Sequence, residues 1–592
     1  METSKLALKR ETFQFMKSFF KEFKPITLGL ILVGSLTWTL TMVKSGLVYS
    51  YGMGFWGPNG HDGIWHIALA ESLAKGSWGM PVFAGETIKN YHIGFDLLLA
   101  ILHKITLIPI HILYFQVIPP ILSLAIGIFA YKFVYLWSGS IKKSFWATFF
   151  IYFGGSWGFV VTLIRSGRLE GESLFWSQQS VSTLINPPFA LSLLLIFAGL
   201  WTLVKGIENG SKKYLVASTF LFGVLIQVKV YAGILILFAL LIAGIKRLFS
   251  DRKTDLIKVF TGVLVLSILI FAPVTRSMGE TLLFRPFWFL ESMMATPDRL
   301  NWQRFASALA NYKLSENWIK GSLAYLIAFL IFLFGNFGTR LIGLLWFMKK
   351  RLNIRNYQYI DVLIAMIVLL GVIIPMLFIQ VGTSWNTIQF FYYSLVFSGL
   401  LAGIVIPVSI KRLKVIKMYD ISLYDTFIVL FIILTIPTTI GTLWYNYLPS
   451  RPPAKISVAE LEALKFLAKQ PDGVVLTLPF NKEAAKKAES NPPRPLYLYE
   501  STAYVSAFSR QPGYLEDVVN LEITGYDWKE RRNSIENILN LTDESVLSEF
   551  LKRESIGYIY LTKNTQFNKF DILLRLSKIF ENNEVVLFRV NN

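Results

Sequence analysis

Residues 91–108 read YHIGFDLLLAILHKITLI, and whether this run crosses a membrane decides the topology of everything after it. Its neighbours are less ambiguous. Taking about 20 mostly apolar residues per crossing, spans are expected at 26–47, 112–137, 144–164, 186–204, 214–229, 230–246, 257–274, 321–346, 360–380, 388–410 and 424–446. That makes eleven, with 214–246 forming a short pair that turns around Lys229. Positive charge arbitrates, because Lys and Arg gather on the inner side of a membrane protein. With the N-terminus inside, the inner segments are 1–25, 138–143, 205–213, 247–256, 349–359 and 411–423. They hold Lys142, Lys143, Lys205, Lys212, Lys213, Arg247, Arg252, Lys253, Lys349, Lys350, Arg351, Arg355, Lys411, Arg412, Lys414 and Lys417. Counting 91–108 as a crossing would put Lys142 and Lys143 outside and invert every later loop. The run is therefore read as an interfacial helix on the outer surface. Residues 62–75, with Trp65, Leu69 and Leu73 at helical spacing, are read the same way.

Composition agrees with a bundle in lipid. Of 592 residues, 54% are hydrophobic and 16% charged, with a mean hydropathy of +0.49. A soluble domain is about a quarter charged. The net charge is +20, yet residues 447–592 hold 19 Lys/Arg and 19 Asp/Glu, so the whole excess lies in the apolar part. Charge in short gaps between apolar runs is a topology signal, and it excludes a nucleic-acid surface, which needs a clustered basic face. There is no cysteine, which excludes disulfides, thiolate metal sites and a Cys nucleophile. The basic lead (Lys5, Lys9, Arg10, Lys17, Lys21, Lys24) runs into an apolar stretch too long for the roughly 7–15-residue core of a signal peptide.

The expected organisation is a basic cytoplasmic lead (1–25), a transmembrane region (26–446) and an outer α/β domain (447–592). Three outer loops are long or aromatic: 48–111, 165–185 and 275–320. The tail opens on a Pro-rich linker (Pro449, Pro452, Pro453). A capping box of Ser457 and Glu460 starts a helix over 457–469. Strands are expected at 473–479, 556–562 and 584–590, and a helix at 543–554.

Loop 48–111 holds the densest chemistry. It runs Gly60-His61-Asp62-Gly63-Ile64-Trp65-His66 and then Glu86-Thr87-Ile88-Lys89-Asn90-Tyr91-His92-Ile93-Gly94. Asp62 and His66 are four residues apart and share a helix face, and Tyr91 and His92 can converge on them. The bland readings are an N-cap for Asp62, polar interfacial residues for His66 and His92, and a solvated Glu86. Loop 165–185 carries Glu170 and Glu172 beside Arg165 and Arg168, which reads equally as a self-neutralising surface cluster. Lys229, in Gln227-Val228-Lys229-Val230-Tyr231, is a cation at the membrane face. It either binds a lipid phosphate or snorkels to the headgroups. Arg276 and Arg285 are weaker candidates of the same type. In the tail, Tyr514, Asp517, Arg531 and Arg532 are polar positions without an assignable role.

The Asp, three residues, His pattern on an Ala-rich helix, followed by Tyr-His-x-Gly, resembles the GT-C superfamily of membrane glycosyltransferases. That superfamily includes protein O-mannosyltransferases, aminoarabinose transferases and oligosaccharyltransferase catalytic subunits. The resemblance covers residues 20–250 by motif and the rest by architecture. It implies transfer of a sugar from a polyprenyl-phosphate or polyprenyl-diphosphate carrier to a glycan, lipid or protein acceptor at the outer face of a prokaryotic plasma membrane. It places Asp62 at the first-loop catalytic acid, as general base or as ligand of a divalent cation such as Mg or Mn. It makes Glu170 and Glu172 candidates for a second acid. This chain has Asp62-Gly63 where many relatives have a pair of acids. Two other classes compete: a flippase of lipid-linked glycans, for which paired repeats are missing, and a non-catalytic envelope scaffold. A site role requires Asp62 to share a cavity with Lys229, whereas a scaffold leaves it as a solvated cap.

Overall fold

Backbone polar groups in lipid must be satisfied within the segment, so apolar runs of this length form helices. The computed structural model describes residues 21–275, 282–349, 357–409, 417–418, 421–540, 544–563 and 576–591, and it sets a helix on every expected run. The described helices start with α1 (Pro25–Thr39), then α2 (Asp62–Ala74) and α3 (Gly94–Thr106). Next come α4 (Ile110–Ser138) and the pair α5 (Ile141–Phe153) and α6 (Gly158–Ser166), bent by 44°. After α7 (Pro187–Glu208), α8 (Lys212–Gly223), α9 (Val230–Asp251) and α10 (Asp255–Val274), two short helices lie in the third long loop, α11 (Trp288–Ala295) and α12 (Gln303–Leu314). The bundle closes with α13 (Trp318–Met348), α14 (Tyr359–Leu377), α15 (Ser384–Ser409) and α16 (Asp425–Tyr447).

Among the described residues, eight helices are long and apolar enough to cross a membrane, or nine if the bent pair is one span. The difference from eleven lies in α1 and α8, with 15 and 12 residues. At about 1.5 Å per residue these fall short of a roughly 30 Å hydrocarbon core. The pivotal run 91–108 forms a helix of 13 residues, α3, shorter still than a crossing. Its exposed stripe of Leu97, Ile101, Ile105 and Leu107 lies opposite buried Phe95, Asp96, Leu99 and Ala100, the pattern of an interfacial helix. Helix α2 departs from the expectation. Ile64, Trp65, Ile67, Ala68, Leu69 and Ala70 are all buried. It is enclosed on every side because the tail covers the face that an interfacial helix would leave open.

That cover is the tail helix Tyr504–Ser509, packed on α2, with Arg510 paired to Glu71, and the first loop is also joined to the tail by strand pairing. Strands β1 (Val48–Tyr49) and β2 (Gly52–Phe55) of the first loop are continued by β3 (Ala454–Ile456) and β4 (Arg494–Pro495) of the tail, in the order β1-β2-β3-β4. Met53 pairs with Ile456 and Phe55 with Ala454, antiparallel. Gly52 has φ +113, and a Cβ there would sit 2.1 Å from the Ile456 carbonyl oxygen, so only glycine permits the approach. Lys44 Nζ donates to the carbonyls of Tyr447, Leu448 and Pro449 at 2.8–3.3 Å, pinning the tail's start to the end of the first helical segment. A second sheet belongs to the tail alone: β5 (Val474–Thr477), β6 (Ile556–Thr562), β7 (Leu576–Glu581) and β8 (Val585–Val590), in the order β7-β8-β6-β5. The Ser457–Glu460 capping box is present, and the expected helix runs Val458–Leu467.

Candidate active site

The site is built where α2 starts. Helix α2 begins at Asp62 itself, and His61 before it offers no side-chain cap. The His61 ring instead meets Ser501 Oγ at 2.7 Å. Asp62 is therefore not spent as a cap. Its carboxylate is exposed and makes no hydrogen bond or ion pair among the described residues. It stands in the first turn of the helix, where backbone N–H groups favour negative charge.

Lys229 faces the same region. It is the extended residue (φ −158°) that breaks the chain between Leu225–Val228 and α9. The break is tied to the first loop. Gln227 Oε1 accepts from the Ile93 N–H at 3.1 Å, and its Nε2 donates to the Ile270 carbonyl at 2.9 Å. A Cβ on Gly94 would lie 2.7 Å from the Gln227 carbonyl, so the glycine of the Tyr-His-x-Gly motif allows the two backbones to meet. Lys229 is 4% exposed, which rules out snorkelling. Its hydrogen bond among the described residues is to Asn186 Oδ1 at 3.4 Å, with no carboxylate in ion-pair range. Burial pulls its ammonium down to about 8, while the charge of Asp62 acts the other way. Asp62 and Lys229 thus sense each other without pairing.

Three further sequence candidates join them. The His92 ring stacks on Tyr91 at 4.5 Å. Burial, Lys229 and His66 push His92 well below the usual imidazole range, so it is neutral. Tyr91 is held well above its usual range by burial and the charges of Asp96 and Asp62, and keeps its proton. His66 is buried, with Nδ1 2.7 Å from Asp96 Oδ1. Asp96, Tyr114 and Asn186 complete the group and were not singled out by the sequence. Asp96 had a signal: it is the one acid in an otherwise apolar run, on that run's buried face.

Other candidates are placed elsewhere. Glu86 is exposed and pairs with Lys89 at 3.7 Å. Glu170 pairs with Arg168 at 3.4 Å at the surface. Glu172 accepts the Gln179 N–H at 2.8 Å, and burial raises its carboxyl. Arg285 is exposed, and its backbone N–H donates to the Leu377 carbonyl. Arg276 lies outside the described residues. In the tail, Arg531 spans the Tyr514 and Ala84 carbonyls, clamping the first loop. Asp517 is buried within electrostatic reach of Asp62, but both its oxygens hold Asn520.

The residues fit a divalent cation poorly. Among the described residues, no three His, Asp or Glu side chains converge as a metal site. Asp62 is followed by Gly63, and the acid it senses in the tail is engaged.

Two solved structures are similar to this chain in fold. The Archaeoglobus fulgidus oligosaccharyltransferase tethered with an acceptor peptide matches with a TM-score of 0.51 at 12% identity, over 92% of this chain and 70% of that one. The arabinofuranosyltransferase AftD from Mycobacteria matches with a TM-score of 0.51 at 10% identity, over 96% of this chain but 40% of that one. Both are GT-C enzymes. This chain has the fold of those two enzymes. At such identities the likeness extends to the fold alone. No protein-family model matches the sequence, and no curated protein does.

Proposed function

We propose that the protein is a membrane glycosyltransferase that moves a sugar from a polyprenyl-phosphate or polyprenyl-diphosphate carrier to an acceptor hydroxyl. The reaction takes place at the outer face of a prokaryotic plasma membrane, on the side where residues 447–592 lie. One observation carries this reading: on this fold an exposed carboxylate, Asp62, acts electrostatically on a buried cation, Lys229, and among the described residues neither has an ion-pair partner. A buried ammonium is costly unless an anion meets it, and a lipid phosphate supplies that anion.

In this reading Asp62 accepts the proton of the acceptor hydroxyl while its oxygen attacks the anomeric carbon. The bond from that carbon to the phosphate oxygen breaks, and the electron pair leaves on the phosphate, which Lys229 stabilises. His92, being neutral, adds no competing charge beside the phosphate. Protonated Tyr91 is available as a hydrogen-bond donor. The short cationic segments at the other helix ends support the orientation.

The test is a transfer assay on full-length protein in lipid nanodiscs, offering a panel of polyprenyl-phosphate and polyprenyl-diphosphate sugars with candidate acceptors, with and without Mg or Mn. Released carrier phosphate from wild type and none from Asp62→Asn is the expected result. Equal release by both proteins, with equal melting temperatures, would overturn it.

A further inference from the structure

At the end of the bundle away from Asp62, the last turns of α4, α7 and α9 and the start of α14 enclose a cavity of about 430 Å³. About 25 Å along α9 separates its Lys246 from Lys229, so this is a different site from the one at Asp62. The volume lies in the range of small-ligand sites, about 300–1,000 Å³. The floor is Arg247. Its guanidinium is buried, donates to the two Asp255 oxygens at 2.7 and 2.9 Å, and reaches Asp251 Oδ2 at 3.5 Å. The Tyr359 ring covers it at 4.7 Å. Trp137 and Tyr357 form an aromatic wall, joined through the Trp346 ring at 6.3 and 5.3 Å.

Two charges on the lining are left over. Lys246 is half-buried and Glu208 exposed, and neither makes a hydrogen bond or ion pair among the described residues, not even with each other. Glu208 is the last residue of α7. A carboxylate there stands against the helix dipole, which favours a cation at that end. Side chains that merely reach for water need no cavity between them and no aromatic wall. The balance of charge selects the ligand. Lys246 and Arg247 face Glu208, Asp251 and, behind Arg247, Asp255. Two cations against three acids disfavour a purely anionic group. A ligand carrying both signs fits, with a phosphate for Lys246 and an ammonium for Glu208 that the ring faces also attract.

We propose that this cavity binds the phosphoethanolamine headgroup of a phospholipid in the leaflet at that end of the bundle. Helix ends that carry Trp and Tyr lie at headgroup level. Ile245 and Phe249, one turn apart on the exposed face of α9 beside Lys246, offer the acyl chains apolar surface. The phosphate meets Lys246, and the ammonium meets Glu208 beside Trp137 and Tyr357. The lipid thereby joins the ends of α7 and α9. It takes no part in the chemistry at Asp62, so the site and its test are independent of the transferase reading.

Full-length protein in detergent is mixed with phosphatidylethanolamine, phosphatidylcholine and phosphatidylglycerol of equal chain length, and bound lipid is counted by native mass spectrometry. Phosphatidylethanolamine should be retained about tenfold better than either of the others, since choline has no N–H for Glu208 and phosphatidylglycerol has no cation. Lys246→Met and Glu208→Gln should each remove that preference. Their melting temperatures in detergent alone should be unchanged, because neither side chain has a partner among the described residues. Lys246→Arg should keep the preference. Lys142→Met, which removes an exposed cation at the same end of the bundle but outside the cavity, should also leave it intact. Equal retention of phosphatidylglycerol, or an equal loss in Lys142→Met, would reduce the effect to general charge attraction and overturn the proposal. A preference that survives in both Lys246→Met and Glu208→Gln would overturn it as well. Free phosphoethanolamine at the same concentration should not displace the lipid, since it lacks acyl chains. Displacement would overturn the lipid as the source of the headgroup.

Discussion

Asp62 in loop 48–111 and Glu172 in loop 165–185 are both acids able to take a proton, but the fold treats them in opposite ways. The tail encloses α2 and leaves Asp62 at its tip without a partner among the described residues. Loop 165–185 folds back on itself, so that Glu172 takes the Gln179 N–H and Glu170 takes Arg168. A carboxylate already committed to a backbone donor is a poor proton acceptor, because moving its hydrogen bond leaves a buried N–H unpaired. Reactivity here follows from which loop the rest of the chain holds open.

The strongest way to break this comparison is to exchange the charges one at a time. Asp62→Asn is expected to cut turnover about 10²–10⁴-fold, the usual worth of a positioned base, with the melting temperature unchanged. Next is Lys229→Met, which removes the phosphate's cation. Donor affinity should fall about 10–100-fold, measured by equilibrium binding of a polyprenyl phosphate. Since burial pulls this ammonium down to about 8, wild-type affinity for the donor phosphate should weaken as pH rises through about 8, and that dependence should vanish in Lys229→Met. Glu172→Gln sharpens the contrast from the other side. It should cost about 1 kcal/mol of stability by weakening the Gln179 contact, while turnover falls less than tenfold. A loss as large as that of Asp62→Asn would make Glu172 the base instead.

The tail that holds the first loop carries its own pH signature. Glu460, Glu516 and Asp517 are each pushed up to about 7 by burial. Their folded forms hold protons that the unfolded chain releases near pH 4. The stability they add is fully present below about pH 4 and is lost as pH rises through about 7. Melting of the full-length protein should therefore occur at lower temperature at pH 8 than at pH 5, and Glu516→Gln should flatten the trend. The smallest effects belong to the surface pairs: Glu86→Ala and Glu170→Ala should each change turnover less than twofold.

Much of the helical part was legible because hydrophobic runs are local. The apolar segments, the capping box at Ser457 and the limits of α2 and α3 can all be read from spacing and charge. The enclosure of α2 was not legible, because the covering helix Tyr504–Ser509 comes from the tail, far along the chain, and nothing local marks that contact. For the same reason Asp96 was passed over: within its own run it is a single acid among leucines, and its meaning comes from His66, thirty residues away.

By itself, then, the sequence determined that this chain packs into a membrane-type helical bundle and which loop is rich in acid–base groups, since hydropathy and charge are properties of neighbouring residues. Tertiary structure alone decided which acid stays free, which cation loses its water, and which imidazole is held by a carboxylate. Those outcomes depend on burial and on partners brought together from distant parts of the chain.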